Sequence, residues 1–125
     1  MAKTGAELSA VRQGGVAAEA LTGGLGVVLG ASGIELADSA GEPIDGVVVE
    51  DWDSGDQISY IRRGPARVVA GEAIAVGDRI TVNAAGRFIV ADTMGHTYAG
   101  KAIEAAGADG DVFLADIDPT LDTVP

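Results

Sequence analysis

Apolar residues in this chain come in short β-branched runs, each cut by glycine or an acid before a helical period can build. Such runs bounded by turn residues read as strands. Gly26 to Leu29, the turn Ala31-Ser32-Gly33 and Ile34 to Leu36 read as one hairpin. Arg79 to Val82, Asn83 to Gly86 and Arg87 to Val90 read as a second. Val47 to Glu50 and Lys101 to Glu104 read as short strands, each led by a glycine. The acidic turns Asp51 to Asp56 and Gly107 to Asp111 launch strands over 57–62 and 112–117. Gly64-Pro65 reads as a link, with Ala66 to Ala70 running as a strand beyond it. Ala17 to Leu21 and Ala102 to Ala106 have helix propensity. For the latter, the matching run VVVE argues for strand.

These elements occur twice. Residues 18–61 and 71–116 follow one pattern offset by 53 to 55 positions. Glu19, Ala20, Gly24, Ala31 and Gly33 fall on Glu72, Ala73, Gly77, Ala84 and Gly86. Gly41, Gly46 and Glu50 fall on Gly95, Gly100 and Glu104, and Gly55-Asp56 on Gly110-Asp111. Self-similarity of this kind fixes architecture before chemistry. At 125 residues the copies are halves of one domain, spanning 17–118. The expected fold is all-β: a small barrel or sandwich built from two similar halves. Residues 1–16 read as an extended arm or leader, and 119–125 as an irregular tail.

Composition narrows the function. A net charge of −11 argues against a nucleic-acid partner and against an anionic membrane surface. No cysteine is present, so disulfides, thiolate zinc sites and thiol nucleophiles are excluded. The longest uncharged run, Ala20 to Ile34, is too short and glycine-rich for a membrane helix. An alanine- and glycine-rich chain buries little area per residue and gains from burying more in an assembly.

Candidate chemistry is sparse. Asp51, Asp53 and Asp56 resemble the opening of a calcium loop, but the EF-hand positions five, six and twelve hold Gly55, Asp56 and Arg62. A solvated turn is the better reading, and its recurrence at Asp109-Gly110-Asp111 supports it. Gly23-Gly24-Leu25-Gly26 lacks the spacing and lysine of a phosphate loop. His96, the single histidine, reads as an exposed loop residue, and no serine sits in a nucleophile elbow. No catalytic, cofactor or metal residue is therefore assigned. Charge is unevenly placed: eight acids and no base lie between Glu35 and Asp56, followed by Arg62, Arg63 and Arg67. This is either a solvated acidic face with counter-ions or a polarised docking surface with Trp52 and Tyr60 as aromatic anchors.

The stretch GVVLGASGIELADSAGEPIDGVVVEDWDSGDQISYIRRGPARV, residues 26–68, resembles the central part of lambda-type phage head decoration proteins. AGEAIAVGDRITVNAAGRF and AGKAIEAAGADGDVFLADI, within 68–117, are similar to related capsid cement proteins. The resemblance implies a compact β-tulip or barrel without enzymatic activity or cofactor. It also implies binding to the major capsid protein on the outside of an expanded head, often as a trimer, with synthesis in the host cytoplasm. By position, the arm residues Lys3, Leu8, Val11 and Arg12 would share docking with Trp52, Tyr60, Arg62, Arg63 and Arg67. A small β-barrel that binds a sugar or metal as a phage or surface accessory is the alternative.

Overall fold

The computed structural model describes residues 10–125, and among them every regular element is a strand. The nine strands are β1 Val11–Val16, β2 Gly26–Gly30, β3 Gly33–Leu36, β4 Gly46–Val47 and β5 Gln57–Val69, then β6 Arg79–Val82, β7 Phe88–Val90, β8 Gly100–Ala102 and β9 Val112–Ile117. They pair in the order β3-β2-β4-β5-β9-β8-β6-β7, with β1 added on β5. All strand pairs are antiparallel. The all-β expectation holds, and the sheet is an open, strongly curled half-barrel.

The duplication extends to strand register, with one extra residue in the second hairpin loop. Val27↔Leu36 and Leu29↔Ile34 in the first hairpin become Ile80↔Val90 and Val82↔Phe88 in the second. Gly26↔Val47 becomes Arg79↔Lys101, and Val47↔Ile61 becomes Lys101↔Asp116. Glu19 Oε2 accepts from Leu36 N–H (2.9 Å), as Glu72 Oε2 does from Val90 N–H (2.8 Å). The matched glycines 24/77, 33/86, 41/95 and 55/110 all have positive φ. Gly46 and Gly100, the latter also at positive φ, share a close-approach constraint. A Cβ there would strike the carbonyl of Ile61 or Asp116 on the neighbouring strand.

The strands expected over 47–50 and 101–104 end at Val47 and Ala102, and three larger boundaries differ from the sequence reading. Gly64-Pro65 does not separate two strands; both lie inside β5 and pair with Ile117 and Asp116. Alternation along β5 puts Pro65 and Val69 on the same side, and Val69 sends its N–H to Gly24 O rather than to β9. The donor that proline lacks is therefore no part of the β9 ladder. Residues 11–16 are not arm but β1, whose Val16↔Gln57 pairing matches Val69↔Val112 in the second half. VRQGGV carries no strand pattern in its side chains because backbone pairing, not an apolar face, holds it. The tail is not irregular throughout. It lies along residues 95–98, with Gly95 N–H donating to Val124 O (2.9 Å), Tyr98 N–H to Asp122 O (3.0 Å) and Val124 N–H to His96 O (2.9 Å).

Two cores result. Ala17, Leu21, Val27, Ile34, Val48, Ile58 and Tyr60 fill the first half. The larger core, around Phe88 and Phe113, also takes in Ala37, Ile44, Val47 and Ile61 from the first half. β5 serves both, with Tyr60 in one core and Ile61 in the other. Backbone bonds join the halves: Val69 N–H to Gly24 O (2.9 Å), Gly26 N–H to Gly86 O (2.9 Å) and Gly41 N–H to Val82 O (2.8 Å).

A candidate partner-binding surface

The register of β1 on β5 slips at one place: Val11 faces Arg63, but Arg12 faces Ile61. Arg62 is the extra, unpaired residue of a β-bulge, a device that redirects side chains. The consequence is that Arg62 and Arg63 are both exposed, although neighbours on a regular strand point to opposite faces. They flank a shallow cleft of about 300 Å³ walled by Pro43, Ile44, Asp45 and the tail residues Pro119 to Leu121. Val11 and the same two arginines also line a smaller hollow.

The arginines around Arg62 are more engaged. Arg63 Nε lies 3.2 Å from Asp118 Oδ1, and Arg67 Nη1 lies 3.0 Å from Glu104 Oε1. Glu104 Oε1 also accepts from Leu114 N–H, which fixes that carboxylate over β9. Arg12 Nη1 reaches Ser59 Oγ at 3.2 Å. Arg62 forms no ion pair with another described residue. The structure thus brings Val11, Arg12, Arg62 and Arg63 together along the β1–β5 edge. Arg67 lies farther along β5, on its second-half portion, and Lys3 and Leu8 lie outside the described residues.

Both aromatic anchors expected from sequence are corrected. Tyr60 is buried (5 % exposed) because alternation on β5 turns it inward with Ile58. Burial is the main cause raising its phenol above the ordinary 10.0; Asp45 adds to the rise and Arg62 opposes it. Trp52 is half-buried against the first core, where it bridges Leu21, and its buried Nε1 has no partner among the described residues. Nor is His96 an exposed loop residue. It is half-buried, and a Cβ on Gly41 would collide with its ring.

The abundant acids have structural work. Asp56 Oδ2 accepts from Asp53 N–H, and Asp111 Oδ2 from Gly107 and Ala108 N–H, so the duplicated acidic turns close on their own backbone. Asp45 accepts from Leu29 N–H, Asp51 from Gly23 N–H and Asp78 from Ala75 N–H. The Glu19/Glu72 pair had a signal in the repeat itself. The Arg62 bulge had none, since nothing local marks where a register slips.

A duplicated, curled sheet with a guanidinium ledge and a shallow cleft on an anionic body is a structural, interaction-type module. Guanidiniums there suit planar recognition of carboxylates on a partner. The chain belongs to the phage cement protein family, whose model matches residues 3–117. Membership makes it a structural protein of the phage capsid. Its fold is similar to that of the N base of head fiber gp8.5 in bacteriophage phi29. That match has a TM-score of 0.67 at 24% identity and covers 90% of this chain and 98% of that one. No curated protein matches the chain.

Proposed function

We propose that this protein binds the outer surface of an expanded phage head and reinforces it, as a decoration protein without catalytic activity. The observation that carries the reading is the family match over residues 3–117. The partner is the major capsid protein, and self-association on the shell, as a trimer in the resembling decoration proteins, accompanies binding. Synthesis is in the host cytoplasm and the final location is the virion. Docking uses Val11, Arg12, Arg62 and Arg63 on the β1–β5 edge, together with Lys3 and Leu8. Arg67 contributes less because it lies farther along β5, paired to a Glu104 carboxylate that Leu114 N–H fixes over β9. Trp52 and Tyr60 play no direct part, being committed to the first core.

Added contacts across capsomer seams stabilise a shell by mass action, since they bind the assembled form and not its parts. Co-sedimentation with undecorated expanded capsids tests this. The protein is expected in the pellet, and recovery entirely in the supernatant would overturn the reading. Arg62→Ala combined with Arg63→Ala is expected to weaken pelleting by about tenfold or more, the size of a lost charge-assisted contact. Truncation is informative only before residue 10, because removing 11–16 deletes β1.

A further inference from the structure

The internal junction has two sides, and the duplication supplies a second copy of each. On one side the first half contributes Gly24, Gly26 and Gly41; on the other the second half contributes Val69, Val82 and Gly86. Register places Gly77, Arg79 and Gly95 as the second-half counterparts of the first set. Register makes Val16 and Leu29 the first-half counterparts of Val69 and Val82, and the sequence repeat sets Gly33 against Gly86. Arg79 stacks on the Tyr98 ring and Gly33 lies against Val16 of β1, but among the described residues the other half does not cover these counterparts as their originals are covered, apart from one exception. Val82 is fully buried, whereas Leu29 is 66% exposed. Val16, matching Val69, is 40% exposed. A Cβ on Gly24 would lie 2.8 Å from Val69 Cγ2, whereas one on Gly77 or Gly95 would meet nothing. Beside those two glycines stand Val76 and Met94, exposed by 66% and 79%.

The exception is the tail. Within the junction Gly41 N–H donates to Val82 O (2.8 Å); in the second half Gly95 N–H donates to Val124 O (2.9 Å). Val124 therefore takes the acceptor place that Val82 holds on the other copy of the motif.

We propose that the C-terminal segment Pro119 to Pro125 caps a self-association surface. When the tail lifts, the Gly77–Gly95 face of one molecule receives the Val16–Leu29 face of a second copy of this chain, repeating the internal junction between molecules. The occupant is a second copy because, among the described residues, the surface already seen to complement this motif is the chain's own first half. The contact is head-to-tail, so it closes into a ring or extends as a row according to its rotation. Exposed Val76, Met94, Val16 and Leu29 become buried in it, and the Leu29 carbonyl replaces that of Val124 on Gly95 N–H.

Analytical ultracentrifugation of the purified chain, without capsids, tests this separately from head binding. Val124→Pro removes the N–H that the tail donates to His96 O while leaving the chain length intact. A chain ending at Asp118 removes the cap altogether. Both are expected to show a concentration-dependent rise to roughly double the mass of the full chain or more. Adding Val16→Glu and Leu29→Glu, or an excess of a peptide spanning 119–125, is expected to return the mass to that of the full chain. Folded Val124→Pro protein with the mass of the full chain at every concentration overturns the proposal. So does association that survives the two glutamates.

Discussion

The two halves share one strand register yet differ in how they are covered. The second half is roofed by the first and sealed by the tail, and its core spans the junction. The first half has a smaller core of its own and leaves Val11, Val16 and Leu29 exposed. Duplication therefore made two similar bodies, and position in the chain made them unequal. The half that no other described segment covers carries the β1–β5 edge with its arginine bulge.

The largest test of this inequality is in the cores. Phe88 and Ile34 occupy matching positions on β7 and β3. Phe88→Ala is expected to cost about 3–5 kcal/mol and to unfold both halves together, since its core contains residues of both. Ile34→Ala is expected to cost about 2–4 kcal/mol, with hydrogen exchange rising first in β1–β3. Denaturant titration with exchange readout checks this, and a larger loss at Ile34 would reverse the comparison. The next test concerns equivalence. Gly46→Ala and Gly100→Ala each force a methyl against a neighbouring carbonyl, so each is expected to cost about 1–3 kcal/mol. A loss at one site only would break the symmetry.

A smaller, paired effect belongs to the glutamates. Glu19→Ala and Glu72→Ala each leave one strand N–H without its carboxylate, for about 0.5–1.5 kcal/mol apiece by thermal or chemical unfolding. The smallest effect is confined to the first half. Tyr60 has a raised folded-state pKa, and its second-half counterpart is Ala115, which does not titrate. Above the ordinary phenol value of 10.0 the unfolded chain loses its proton first, so stability falls as pH climbs through that value toward the folded pKa. Tyr60→Phe is expected to flatten that alkaline fall. An unchanged slope would assign it to other groups.

The candidate surface was half legible. Three arginines close together in a chain of net charge −11 were visible as an oddity. Their different fates were not visible. Arg67 follows strand alternation and meets Glu104, whereas Arg62 and Arg63 escape alternation through the bulge. Trp52 and Tyr60 looked like anchors because aromatics are rare here, but in so small a domain they are the bulkiest material available for the first core.

By itself the sequence determined the all-β class, the duplication, the turn positions and the hairpins. These rest on local rules: glycine where φ is positive or backbones approach closely, acids where turns need an acceptor, β-branched runs between them. Tertiary structure alone decided that β5 runs unbroken through Gly64-Pro65, that VRQGGV is a strand and that the tail seals the second half. Each of those depends on a backbone partner about 25 to 50 residues away, and a hydrogen-bond ladder leaves no imprint on side-chain pattern.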